Sequence, residues 1–168
     1  WTNQAPADLG SGLGNPYWGP SRTMLVGNSN AAIIAGGYYY GYTNCSRLWD
    51  GSSWSVGPLS NCSRQHGHGG GTQNVAVFAG GNTPGEMSAT STEVFNGTSF
   101  SLAGNMPVRA RDAAGGGNSA GQSLFAGGRL YATTSPTDAN TLRTENRPSM
   151  ASGFDAPAVL PESLYWNI

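Results

Sequence analysis

The sequence predicts an all-β fold, on three observations. Twenty-six glycines and ten prolines in 168 residues leave almost no window for a helix, because an interior Gly costs about 1 kcal/mol and a Pro about 3 kcal/mol relative to Ala. Strand-forming residues come in short bursts bounded by glycine and turn residues. The bursts recur in one order at a nearly constant spacing, the mark of a repeated supersecondary unit.

The unit is clearest between Gly69 and Phe100, GGGTQNVAVFAGGNTPGEMSATSTEVFNGTSF. Val75 and Val77 alternate with Ala76 and Phe78, which is strand period. That strand closes on Gly80-Gly81. Equivalent pairs close AAIIA at Gly36-Gly37 and QSLFA at Gly127-Gly128, with spacings of 44 and 47 residues. Downstream, LWDGSSWSVGPLS at 48–60 repeats as VFNGTSFSLAGNM at 94–106, which sets Trp54 on Phe100. Upstream, GGG at 69–71 recurs at 115–117. Asp50-Gly51 and Asn96-Gly97 read as hairpin turns, because these residues tolerate positive φ. One unit is therefore four strands: a glycine-rich one, one ending at Gly-Gly, one leading into the turn, and one starting at Trp or Phe.

Taken in order, residues 1–21 read as the end of a preceding repeat with an inserted loop, LGSGLGNPYWG. Residues 22–63 form unit 1 and 64–108 unit 2. Residues 109–132 begin a third unit in register. Residues 133–168 are rich in Thr, Ser, Asn and Pro, with no hairpin signal after Gly128, and read as a C-terminal cap or extended segment.

Four antiparallel strands in 44–47 residues is the size of a β-propeller blade. The glycines have a reason there, since innermost strands crowd around an axis and Gly marks close backbone approach. A β-solenoid or a sandwich with repeated hairpins is the alternative. A propeller closes with at least four blades, whereas two complete units are legible. Either the chain is part of a longer protein or several copies complete the ring. A homo-oligomer of three chains with two blades each is favoured over an open array.

The runs FAGG…EVFNGTSF and IAGG…RLWDGSSW resemble the kelch-type repeat. The longer stretch GGGTQNVAVFAGG…SATSTEVFNGTSF is similar to the tandem kelch-like repeats of virion structural proteins of marine tailed phages, cyanophages above all. The resemblance covers 22–128, and Asn28-Ser29 stands where the Thr-Gln of the pattern would be. It implies a surface-exposed virion protein, a tail-fibre, tail-spike or head-decoration module, with other virion proteins and a host surface glycan as partners. It implies neither an enzyme nor a cofactor. A secreted bacterial carbohydrate-binding propeller is the alternative.

Composition bounds the partners further. The formal net charge is −1 and every basic residue is Arg, so there is no electrostatic footprint for nucleic acid or an anionic membrane. No apolar run approaches the ~20 residues of a membrane span. The chain has no initiator Met and no signal peptide, and is expected to be processed, truncated or one part of a longer product.

Tyr38, Tyr39, Tyr40 and Tyr42 crowd one loop, and Tyr17 and Trp18 lie in the inserted loop. Aromatic loops of this kind suit an interface or a stacked ligand. The same stretch, GGYYYGYTNC, brings Tyr beside Cys45. That invites comparison with galactose oxidase, a kelch-type copper enzyme, but no motif matches residue by residue. His66 and His68 alternate in a strand frame, which would set both rings on one face as a metal requires, or simply along a channel. Asp50, Glu86, Glu93, Asp112, Asp138 and Glu145 show no pairing diagnostic of glycoside hydrolysis. Arg47 and Glu93 occupy equivalent positions, read as solvent-facing or as partners across units. Arg22, Arg64 and Arg109 precede the first strands and are expected to bond loop carbonyls or acids of the adjacent unit. Cys45 and Cys62 form a disulfide only if residues 58–61 bend back, and otherwise are free thiols.

Overall fold

The computed structural model describes residues 21–107, 109–118, 120–126, 128–132, 135–140, 143–146 and 158–159. Three antiparallel four-stranded sheets follow one another. Sheet 1 is β1 (Met24–Gly27), β2 (Ala32–Ala35), β3 (Ser46–Trp49) and β4 (Trp54–Val56). Sheet 2 is β5 (His68–Thr72), β6 (Val75–Ala79), β7 (Thr92–Phe95) and β8 (Phe100–Ala103). Both have the strand order of the chain, as expected of a blade-type fold.

The third unit continues beyond the point where the sequence loses the pattern. After β9 (Ala114–Gly117), a 3-10 turn (Ala120–Gln122) and β10 (Ser123–Ala126), a hairpin of β11 (Arg129–Ala132) and β12 (Ser135–Asn140) is inserted. The chain then returns as β13 (Arg143–Asn146) on β10 and β14 (Ala158–Val159) on β13, completing sheet 3 in the order β14-β13-β10-β9. The stretch 133–168 thus contributes strands to the third sheet. The intervening hairpin displaces β13 from the spacing that β3 and β7 share, and nothing like Asn-Gly announces it.

The Asx-Gly turns form for a different reason than positive φ at both residues. Only the glycines, Gly51 and Gly97, have positive φ, 96° and 93°. Asn96 instead uses its side chain: Oδ1 accepts the Thr98 and Ser99 amides, each at 2.9 Å. Asp50 does the same with the Ser52 and Ser53 amides, each at 2.8 Å. These bonds, with both serine hydroxyls, hold the Asp50 carboxyl well below the usual carboxylate range. The side chain supplies the turn that the backbone would otherwise make.

Cross-strand partners share a face, so the register shows which residues meet the next sheet. Val26, Ile33 and Leu48 of sheet 1 meet Ala76, Phe78, Phe95 and Phe100 of sheet 2. The other face of sheet 2, Val77, Ala79 and Val94, meets Ala120 and Phe125 of the third unit. Ile33, Val77, Phe78 and Phe95 are all at or below 1% exposure, and each such side chain contributes about 1.5–3 kcal/mol by leaving water. The same interface is built twice.

The glycine-rich strands are where the sheets come closest. β1 lies beside β5, and β5 beside β9. A Cβ on Gly115 would sit 2.3 Å from the Gly69 carbonyl oxygen, and one on Gly70 2.7 Å from Ser123 Oγ and 2.9 Å from the Gly116 carbonyl oxygen. The Gly-Gly pairs have a parallel reason. Gly37 donates its amide to the Arg64 carbonyl at 2.7 Å, and Gly81 to the Ala110 carbonyl at 2.8 Å. Each pair turns, with positive φ, directly against the segment that leads into the next unit.

Candidate functional site

The β2–β3 and β6–β7 connections lie at one end of the row of sheets, together with the segments leading into β1, β5 and β9. The first connection holds the tyrosines. Tyr38 exchanges backbone bonds with Ser21 at 2.9 and 3.1 Å, the Tyr39 amide donates to the Gly41 carbonyl at 2.9 Å, and the Thr43 amide to the Gly37 carbonyl at 3.1 Å. Tyr40 takes a φ of 52° at the tip. The rings form two edge-on pairs, Tyr38 with Tyr42 at 5.8 Å and Tyr39 with Tyr40 at 4.8 Å between centroids. Tyr40 is 91% exposed. A pinned backbone therefore presents a large, amphipathic aromatic surface to solvent. Tyr17, Trp18 and Gly127 lie outside the described residues.

Beside this loop runs a backbone ladder that sequence reasoning missed. Register places Arg22, His66 and Asp112 at one position of successive units, two residues before β1, β5 and β9 begin. All three are non-glycine residues with positive φ, 63°, 56° and 56°. The His66 amide donates to the Arg22 carbonyl at 3.1 Å and the Asp112 amide to the His66 carbonyl at 2.9 Å. Their side chains differ in type, so only the spacing could have revealed the correspondence. Arg22 Nη1 donates to Gln65 Oε1 at 3.2 Å, and the His66 imidazole contacts the Asp112 carboxylate.

This geometry separates the two histidines. His66 precedes the strand in a left-handed conformation, which breaks the alternation that would align it with His68. His68 begins β5 and points inward, 2% exposed, with its ring 5.5 Å from that of Phe125. Its Nδ1 accepts the Ala113 amide at 3.3 Å, which puts the proton of the neutral ring on Nε2, a buried atom with no hydrogen-bond partner. Among the described residues, no three His, Cys, Asp or Glu side chains are grouped to hold a metal.

Burial above all, then the charge of Arg64, pushes His68 down to about 4, while Asp112 acts the other way. The unfolded histidine titrates near 6.5, so as pH falls the unfolded chain takes the proton first. This contribution is fully present above about pH 6.5 and is lost progressively toward pH 4, the loss reaching about 2 kcal/mol at pH 5. Urea midpoints measured from pH 7 to pH 4.5 are expected to fall accordingly. His68→Phe is expected to flatten that part of the profile, and an unchanged slope in the variant would contradict the assignment.

Of the arginines before the strands, Arg22 and Arg109 bond to residues of the adjacent unit, whereas Arg64 bonds within its own. Arg64 is fully buried. Its Nη1 donates to the Gly80 and Ser91 carbonyls at 3.0 and 2.9 Å, and its Nη2 pairs with Glu93 Oε2 at 3.2 Å. Arg109 donates to the Ser88 carbonyl and meets Glu86, both at 3.3 Å, near the surface. Glu93 also accepts the Asn61 and Cys62 amides, at 2.6 and 3.3 Å. It is thus a partner across units and not solvent-facing. Those two bonds draw residues 61–62 toward sheet 2, and Cys45 and Cys62 are separate thiols. Trp54 packs against Trp49, and Phe100 against both Phe78 and Phe95. No helix among the described residues is long and apolar enough to cross a membrane.

No family model matches the chain, and no curated protein matches it. Among 104 solved chains that do match, one described as the structure of YjhT is similar with a TM-score of 0.64 at 13% identity, over 84% of this chain and 46% of that one. The chain therefore spans less than half the length of that protein. At this identity the likeness shows the fold alone: an all-β chain of antiparallel four-stranded sheets.

Proposed function

We propose that the chain is a non-enzymatic structural and attachment module on the surface of a phage particle. It is a kelch-like propeller element that presents loops for recognition and packs against other virion proteins. The single observation that carries this reading is the tyrosine turn, an exposed aromatic surface on a backbone tied down at both ends. Binding residues concentrate on loops held by a rigid scaffold, and a turn fixed beforehand loses little entropy when it binds. The kelch-like repeats legible between 22 and 128 supply the phage context.

The exposure of the Tyr40 ring also favours a second reading, a secreted bacterial module that stacks on sugars. One experiment separates the two. The purified chain is applied to an array of bacterial surface polysaccharides and, in parallel, tailed-phage particles carrying it are labelled with an antibody against it. Labelling of intact particles, with a tenfold or greater loss of array or cell binding in Tyr40→Ala at unchanged melting temperature, is the expected result. Glycan binding without particle labelling favours the secreted module. Neither labelling nor binding would overturn both.

A further inference from the structure

The two junctions between successive sheets are built alike and held differently. Met24 of sheet 1 and His68 of sheet 2 occupy one register position, each facing the following sheet. Met24 is a buried apolar side chain in the contact between sheets 1 and 2. His68, one junction on, lies against Phe125 and accepts the Ala113 amide on Nδ1 at 3.3 Å. The other histidine of the chain, His66, touches Asp112 across the same junction. Apolar cover is thinner there as well. Among the described residues the third unit brings Ala120 and Phe125 to its junction, where the first brings Met24, Val26, Ile33 and Ala35 to its own.

The Ala113 bond needs a lone pair on Nδ1. A proton there makes the acceptor a donor that faces the amide it held, and it buries a second cation near Arg64. The charged groups on the elements packed around His68 are Arg64 before β5, Glu93 on β7, and Arg111 and Asp112 before β9. Arg64 opposes a charge on the ring and Asp112 favours it, and burial outweighs both. Glu93 is engaged with Arg64, and Asp112 with His66 and Arg111. The segment before β9 is held a second time, one residue earlier, where the Asp112 amide donates to the His66 carbonyl at 2.9 Å. A proton on His66 strengthens its contact with the Asp112 carboxylate while that group is ionised.

We infer that the junction between sheets 2 and 3 is an acid-operated hinge: protonation of His68 releases Ala113, and the third sheet swings from the second about Asp112 while sheets 1 and 2 stay together. The two histidines thus respond to acid in opposite senses, His68 as the latch that opens and His66 as the strap that holds. None of this depends on what the tyrosine loop binds.

The test is amide hydrogen exchange of the 168-residue chain at pH 7 and pH 4.5, corrected for intrinsic rates, with urea unfolding at both. His68 titrates at about 4 in the closed junction and near 6.5 once released, so the protection of Ala113 is expected to fall about 60-fold between the two. At both it is expected to lie below the limit that global unfolding sets. The Gly37 amide, bonded to the Arg64 carbonyl across the first junction, is expected to stay more protected than Ala113. His68→Gln keeps an acceptor for Ala113 and takes no proton, so it is expected to abolish the fall. A fall below about threefold in the parent, Ala113 and Gly37 exchanging together at the rate of global unfolding, or an equal fall in a folded His68→Gln would each overturn it. Because the parent's two amides are themselves decisive, a variant that fails to fold leaves the test intact.

Discussion

Arg64→Met is expected to cost about 3–5 kcal/mol of folding stability, read from urea unfolding at pH 7. Both members of the Arg64–Glu93 pair have side chains 1% exposed, so removing the cation leaves a buried carboxylate without its counter-charge. It also strands the Gly80 and Ser91 carbonyls that Arg64 satisfies. The consequence reaches across the sheet boundary, because Glu93 lies on sheet 2 and holds the amides of Asn61 and Cys62 from unit 1. Arg64→Met with Glu93→Gln in one chain is expected to lose less than the two single losses together, by about 1–3 kcal/mol, since the pair acts as one network. A loss below 1 kcal/mol in Arg64→Met would show the pair to be solvated and the clamp to be absent.

Gly115→Ala is expected to cost about 3 kcal/mol. At an unstrained site, Gly→Ala stabilises slightly by restricting the unfolded chain, so the expected loss is a reversal of sign. Its cause is the Gly69 carbonyl oxygen 2.3 Å from the new methyl, with the Gly69 nitrogen and carbonyl carbon each at 3.1 Å. Backbone in a paired strand cannot swing aside as a side chain would, so β9 must move away from β5. Gly41→Ala is the matched comparison, for nothing lies within 4 Å of a Cβ there, and it is expected to gain about 0.5 kcal/mol. Equal midpoints for the two variants would remove crowding as the reason for the glycine-rich strands.

The repeat was legible because it rests on residue type. Gly-Gly marks the turn against the next unit, Asp50 and Asn96 mark the β-hairpins, and Trp54 and Phe100 open the fourth strands. Sheet 3 was only half legible, because an inserted hairpin moves β13 out of register and no Asx-Gly precedes β14. The ladder of Arg22, His66 and Asp112 was not legible at all. Its bonds are made by the backbone, which leaves the side chains free to vary from cation to imidazole to carboxylate. Without that register the residue types group Arg22 with Arg64, although it corresponds to His66, and place His66 and His68 on one face, although the left-handed turn at His66 parts them. The tyrosine loop was visible from composition, and its pinning by Ser21 and Gly37 was not.

The most direct measurement is a nuclear Overhauser experiment on the labelled chain in solution. If successive four-stranded sheets pack flank to flank with their glycine strands in contact, a Val26 methyl gives a cross-peak to the Gly69 Hα protons, and the Gly115 Hα protons give one to those of Gly69. Strong cross-peaks within each sheet, such as Met24 to Ala35 and His68 to Ala79, with both inter-sheet peaks missing, would contradict it.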